Sequence, residues 1–390
     1  MLSTTSVRSR RPDNLYFWEP TISPHKNGLF AALAREESIA SVTQIAHQPL
    51  LASRKALGWT TDDVPGVRTI VCPTAVEIGD LVRHAPDDAV HIFSGIRWVP
   101  TIVAGLGEVL KRGGRFGLMQ EPRVWTGLSG FARRVQSLAT EGRIRRHVEF
   151  VLGIGRHGPT WFNLAGYNGQ KVHPFAYFLA FPPPAATNGP QATSVSGVRK
   201  VGYLGRLTAK KGFGVFTEAI GLVRQPIEVR IAGTGEMEAA ARELAAGTGP
   251  ASVSFLGPLP MSEVNDFLAG LDILVVPSLT LDDGWAAVVC EALAAGAAVI
   301  ASNKVGASIC LTEPRNGLVL KSTDPRAVAG AIDEVCASSI LDSELRSWRM
   351  HWVRDHVSAE AGARYLIRIL RSVDGVAPRP EPYYADAMTL

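Results

Sequence analysis

Cysteine is scarce in this chain: Cys72, Cys290, Cys310 and Cys336 are the only four in 390 residues, they lie far apart, and none forms a C-x-x-C pair. Neither a disulfide framework nor a cysteine-held zinc site is indicated, and a reducing cytoplasm fits best. A strong charge imbalance is also missing, since the formal net charge is +4. With no RNA- or DNA-binding motif beside it, that balance argues against nucleic acid as a partner. Long unbroken apolar runs are absent too. The most apolar long window, 285–302, is interrupted by Glu291 and Gly296, so it is no membrane span. The polar, basic start is followed only by "LYFW" before Glu19 and Pro20, too short for a secretory core. The protein is therefore expected to be soluble or peripheral to a membrane.

Apolar residues make up 46% of the chain and charged residues 19%, which suits large buried cores, and the length suggests two domains. Short β-rich runs alternate with helical patterns. In the first half, strands are expected near 14–19, 41–47, 67–73, 89–95, 115–121 and 149–155. "FPPPAATNGPQATSVSG" (181–197), rich in Pro, Gly, Ser and Thr, reads as a linker. Beyond it, strands are expected near 200–206, 227–233, 253–257, 272–278 and 297–302. Near-continuous apolar strands alternating with helices imply parallel sheets covered on both faces. The expected fold class is α/β, two Rossmann-like domains facing a central cleft. The expected division is 1–185, 186–357, and 358–390 as a helix crossing back to the first domain, plus a tail. Ligands of such sheets bind beyond the carboxyl ends of the strands.

The chemistry concentrates at those ends in the second half. In "GRLTAKKGF", Gly205 permits a turn, and Arg206 and Lys211 follow five residues apart. A planar fork and a point charge together suit a diphosphate, and a following helix start adds N–H donors. A solvated basic turn is the plainer alternative. "IAGTGE" (231–236) carries Gly233 and Gly235 but lacks the third glycine of a dinucleotide fingerprint, which argues against NAD. In "DDGWAAVVCEALAAGAAVIAS" (282–302), Asp283 precedes an apolar run that encloses Glu291. A helix is expected from Trp285 or Ala286, with the N–H groups of Gly284, Trp285, Ala286 and Ala287 left over at its start. On a 3.6-residue period, Ala287, Glu291, Ala294 and Ala295 share one face, where Glu291 alone is longer than alanine. A packed backbone would explain the alanines but not the carboxylate, whereas a ligand hydroxyl would explain both.

The order G-R-L-x-x-x-K-G, I-x-G-x-G, F-L-G, V-P-S, then an acid ahead of E-A-L, resembles retaining glycosyltransferases of the GT-B fold. The "DGW" variant resembles members that build exopolysaccharide or lipopolysaccharide. The resemblance covers nearly all of the second domain. It implies that Arg206 and Lys211 grip a donor diphosphate and that Glu291 accepts hydrogen bonds from ribose hydroxyls. It further implies that Asp283, with the backbone of Gly284 to Ala287, holds the donor sugar, and that Leu256 and Gly257 lie beside the base. The family motif is E-x7-E and this chain reads D-x7-E, one bond shorter at the sugar end.

The first domain matches less well. "EPTISPHKNGLF" (19–30) stands where relatives often carry a glycine-rich loop, and only Gly28 remains. His25 and Lys26 either meet a phosphate there or are solvated at a helix start. Many relatives end another strand with His; here "RFGLMQEPRVW" supplies Gln120 and Glu121. Glu121 either orients donor sugar or acceptor hydroxyl, or pairs with a neighbouring Arg. "GFARRVQSLATEGRIRRHVEF" (130–150) mixes five arginines with Phe131, Val135, Leu138 and Ile144. It is either a solvated face or a surface for an anionic bilayer.

The resemblance implies sugar transfer, with retention, from a nucleoside diphosphate sugar to a saccharide or lipid-linked saccharide, at the inner face of the cell membrane. Departure of the diphosphate helps remove the acceptor proton. No Asp-x-Asp motif stands beside these residues, so no metal and no other cofactor are expected. A sugar-nucleotide epimerase on the same fold and a non-catalytic sugar-nucleotide-binding partner are the alternatives.

Overall fold

The computed structural model describes residues 13–55, 63–182, 197–247, 251–281 and 284–385. Most of the expected linker, the 185/186 boundary and Asp283 lie outside the described residues.

Two parallel sheets organise the chain. The first contains β1 (Asp13–Thr21), β2 (Ile39–Gln48), β3 (Val67–Val71), β4 (Val90–Phe93), β5 (Arg115–Gln120), β6 (Phe150–Ile154) and β7 (Val172–Phe175), in the order β3-β2-β1-β4-β5-β6-β7. The second contains β8 (Arg199–Leu204), β9 (Ile227–Ala232), β10 (Ser252–Phe255), β11 (Ile273–Val276), β12 (Ala298–Ser302) and β13 (Gly317–Leu320), in the order β10-β9-β8-β11-β12-β13. Every residue of β6, β11 and β12 is buried, as expected of strands covered by helices on both faces.

The eleven expected strands are present, and two more, β7 and β13, close the outer edges. Each is four residues long and pairs with one neighbour, and β7 contains Pro174, which a central strand would not tolerate. Short edge strands leave little sequence pattern.

In each sheet the strand order reverses at a central pair, β1/β4 in the first and β8/β11 in the second. The two reversals are filled differently. At β1/β4 the space is occupied from within. Lys26 Nζ lies 2.5 Å from Glu19 Oε2 and 2.9 Å from Ser94 Oγ, and Ser94 Oγ donates to Glu19 Oε1 at 2.8 Å. Glu19 and Lys26 are both buried. Lys26 is thus committed to an internal ion pair and does not serve as a phosphate ligand. The β8/β11 reversal stays open.

The chain's last part joins the two halves. Helix Ala359–Val373 starts at Ser358, whose side chain accepts from the Ala361 N–H at 3.2 Å, and packs along helix Pro24–Ala34. Its residues bond the first domain at both ends, Glu360 with Arg35 at 2.9 Å and Asp374, just past its end, with Arg115 at 2.8 Å. The domains also touch directly. Arg156 Nε donates to Ser308 Oγ at 2.8 Å, and its backbone N–H to the Gly306 carbonyl at 2.9 Å. A Cβ on Gly155 of the first domain would stand 2.6 Å from the Gly284 carbonyl oxygen and 2.9 Å from the Gly306 Cα of the second, so this contact admits only glycine there.

Candidate functional site

A cavity of about 330 Å³ opens at the carboxyl ends of β8 and β11, a size suited to a small organic ligand. The turn after β8 forms one wall. Gly205 has φ 152° and its N–H bonds the Ala232 carbonyl at 3.1 Å, so the chain leaves the strand sideways. Arg206 and Lys211 follow on the wall. The Tyr203 hydroxyl donates to the Arg206 carbonyl at 3.0 Å, and the Thr208 hydroxyl caps the Lys211 N–H at 3.4 Å. This backbone is braced from below while the Arg206 guanidinium is exposed, with no hydrogen bond to any described group. A cationic head on a fixed loop at a strand end is suited to an anionic ligand.

The second turn, after β9, presses against the first. A Cβ on Gly233 would stand 1.8 Å from the Gly205 carbonyl oxygen, and one on Gly235 2.5 Å from that of Leu207. Gly233 and Thr234 line the cavity, whereas Gly235 serves the contact between the loops.

The opposite wall is Ala286, Ala287, Val288 and Glu291. The helix begins at Val288, later than the sequence suggests, because Ala286 adopts φ 64° and cannot continue a right-handed helix backward. Of the expected alanine face, Ala287 and Glu291 line this cavity and Glu291 with Ala294 borders a second one of about 540 Å³, while Ala295 is buried and lines neither. His25, at the start of helix Pro24–Ala34, lines both. No described group hydrogen-bonds the Glu291 carboxyl. Its apolar surroundings push its pKa from 4.5 up to about 7.

This shift has a consequence for stability. Between about pH 4.5 and pH 7 the folded chain keeps a Glu291 proton that the unfolded chain has lost. Stability contributed by that site therefore falls as pH rises through this window, opposite to an ion-paired carboxylate. Glu291→Gln is expected to remove this part of the fall. Urea unfolding of both proteins at about pH 5 and about pH 8 measures it, and the variant should gain relative stability at the higher pH.

Of the residues singled out in the sequence, His25, Gly205, Arg206, Lys211, Gly233, Ala286, Ala287 and Glu291 meet on one cavity. Others are elsewhere. Leu256 is 53% exposed and outside the cavity wall, as is Gly257, whose carbonyl accepts from the Gly233 N–H at 2.8 Å. Pro258 and Leu259, the next two residues, form the wall at that point. Trp285 is buried, with its carbonyl taken by the Ala307 N–H at 2.7 Å. Gly284 lies under Glu121: a Cβ there would be 2.2 Å from Glu121 Oε2. Glu121 thus reaches across from the end of β5 to the loop that carries the acidic motif, without lining the cavity itself. Tyr203, Met261 and Val264 also line the cavity and carried no motif signal, whereas Ser278, likewise on the wall, is the serine of V-P-S.

Residues 198–338 match the family model described as glycosyl transferases group 1, the same stretch that builds this cavity. Among characterised proteins, the chain is 32% identical over 135 residues to the amylovoran biosynthesis glycosyltransferase AmsK of Erwinia amylovora, covering 33% of each chain. It is 30% identical over 201 residues to the lipopolysaccharide core biosynthesis mannosyltransferase LpcC of Rhizobium leguminosarum bv. viciae, covering 48% of this chain and 56% of that one. The chain thus spans about half or less of these relatives' lengths. In three dimensions, Anabaena Alr3699/HepE in complex with UDP superimposes with TM-score 0.68 at 14% identity, over 92% of this chain and 100% of that one. The two share a fold.

Proposed function

We propose that the protein transfers a sugar, with retention, from a nucleoside diphosphate sugar to a hydroxyl of a saccharide or lipid-linked saccharide, in exopolysaccharide or lipopolysaccharide assembly; the match of residues 198–338 to the group 1 glycosyl transferase model and the GT-B fold support this reading. The observation that carries this reading is Glu291: a carboxyl without a hydrogen-bond partner among the described residues, on a cavity whose wall also holds Arg206 and Lys211. A ribose offers the hydroxyls that such a carboxylate accepts, and a diphosphate offers the charge that the two cations complement. Pro258 and Leu259 supply an apolar wall for a base.

In this arrangement Arg206 and Lys211 stabilise the negative charge that builds on the departing diphosphate, which then takes the proton from the acceptor hydroxyl. Both the sugar–phosphate bond broken and the sugar–oxygen bond formed lie on one face of the ring, which gives retention. These groups stabilise the leaving diphosphate without a metal ion. Asp283, beside Gly284, is assigned to the sugar hydroxyls. Glu121, against Gly284, is assigned to holding that loop at the acceptor side.

Incubation with labelled nucleotide sugars and lipid-linked saccharides tests the proposal. Acceptor extension with unchanged anomeric configuration supports it. Release of a free epimerised sugar supports the epimerase reading instead, and binding without turnover the non-catalytic one. Asp283→Ala should impair sugar use while leaving nucleoside diphosphate binding within about threefold of wild type.

A further inference from the structure

Helix Gly127–Thr140 buries only Gly130 and Ser137 toward the domain, yet it carries four large apolar residues on its outer side. Leu128 is 91% exposed, Phe131 60%, Val135 49% and Leu138 46%. At about 100° per residue these four fall within one arc of roughly 80°, and Ala132 and Ala139, also exposed, widen the same stripe. Scattered exposed leucines need no explanation, but a continuous stripe along three turns of one helix does.

The charge around the stripe has one sign. The helix contains Arg133 and Arg134 and no acid, and the next short helix, Gly142–His147, adds Arg143, Arg145 and Arg146. Glu141, between the two helices, is buried and taken up by Arg97 at 2.8 Å and the Tyr167 hydroxyl at 2.8 Å. Arg97 also bonds Thr140 at the end of the helix, and the following residue, Trp98, is 85% exposed with φ 69°. Arg143 and Arg146 remain exposed. A large apolar stripe, a basic flank and an exposed tryptophan are the features with which a helix lies in the interface of an anionic bilayer. No helix among the described residues is long and apolar enough to cross a membrane.

We propose that the outer face of helix Gly127–Thr140 docks the protein on an anionic lipid surface, with Leu128, Phe131, Val135 and Leu138 entering the headgroup boundary and Arg143 and Arg146 meeting lipid phosphates. The placement fits the transferase reading, on which it rests for its purpose. The loop 122–126 joins this helix to Glu121 at the domain contact, so a lipid-linked acceptor would reach the cleft from the surface on which the helix rests.

The test reads vesicle binding by the protein without donor, so its outcome is independent of any transferase assay. Wild-type protein should sediment with phosphatidylcholine vesicles containing about 25% phosphatidylglycerol, and much less with pure phosphatidylcholine. The double variant Leu128→Glu/Phe131→Glu should bind the anionic vesicles at least about tenfold more weakly while melting at the wild-type temperature, because both side chains are exposed. Arg143→Glu/Arg146→Glu should lose mainly the salt-sensitive part of binding. Absence of wild-type binding, equal binding by Leu128→Glu/Phe131→Glu, or a wild-type dimer in solution that this variant abolishes would each overturn the proposal.

Discussion

Lys211→Ala is expected to lower kcat by about two to three orders of magnitude, the loss seen when one group that stabilises developing transition-state charge is removed. Lys211 stands on the cavity wall with Arg206, its backbone held by the Thr208 cap and the turn closed by Gly212 at φ 73°. A Cβ on Gly212 would lie 2.1 Å from the Pro277 carbonyl oxygen, so the loop is fixed against the end of β11. Removing the side chain leaves that backbone in place, and folding should be unaffected. The leaving diphosphate carries more charge in the transition state than in the bound donor, so kcat should fall more than donor affinity. Lys211→Arg should recover part of the rate. Steady-state kinetics with the preferred donor check this. A loss confined to KM would mean that Lys211 binds donor and transition state equally.

Gly233→Ala should have the largest effect on stability, destabilising the second domain by about 3–5 kcal/mol through a backbone clash and a disfavoured φ. Gly233 has φ 140°, and a Cβ there would sit 1.8 Å from the Gly205 carbonyl oxygen. Neither partner is a flexible side-chain tip, so the two loops must separate. Their separation moves Arg206 and Lys211 away from the cavity. At about 2–4 °C per kcal/mol for a unit of this size, the melting temperature should drop by roughly 10 °C. Gly257→Ala provides the contrast. Its φ is 72°, but no atom lies within 4 Å of the added carbon, so only the backbone term of about 1–2 kcal/mol applies. Calorimetric melting of both variants separates steric from conformational cost, and equal shifts would refute the close approach of the loops.

What could be read from residues alone follows from physics that acts locally. Near-continuous apolar strands announced both parallel sheets, while β7 and β13, four residues each at the outer edges, left no such pattern. Glu291 was legible because the alanines around it leave nothing else on that face that needs a partner. Ala286 was not, since alanine favours helix, yet here it stands at φ 64°. Lys26 looked available at a helix start. Its partner Glu19 stands seven residues earlier on a strand, and Ser94 lies 68 residues away, distances at which sequence pattern carries no signal. The base-side wall moved from Leu256 to Pro258 and Leu259 because loop side chains have no period that fixes their direction.

The comparisons and the cavity bear on the same residues from two sides. The family match covers 198–338, and within it Gly205, Arg206, Lys211, Gly233 and Glu291 converge. The first domain contributes His25 to the cavity and Glu121 to the contact at Gly284.

The central claim is that the cavity at the ends of β8 and β11 holds a nucleoside diphosphate through Glu291 and the Arg206/Lys211 pair. Titration calorimetry of the wild-type protein and Glu291→Ala against UDP, GDP and ADP tests it most directly. One of the three should bind the wild type at a single site, and Glu291→Ala should bind it at least about tenfold more weakly, the loss of hydrogen bonds to a charged group. Failure of all three to bind the wild type, or equal affinity for both proteins, would contradict it.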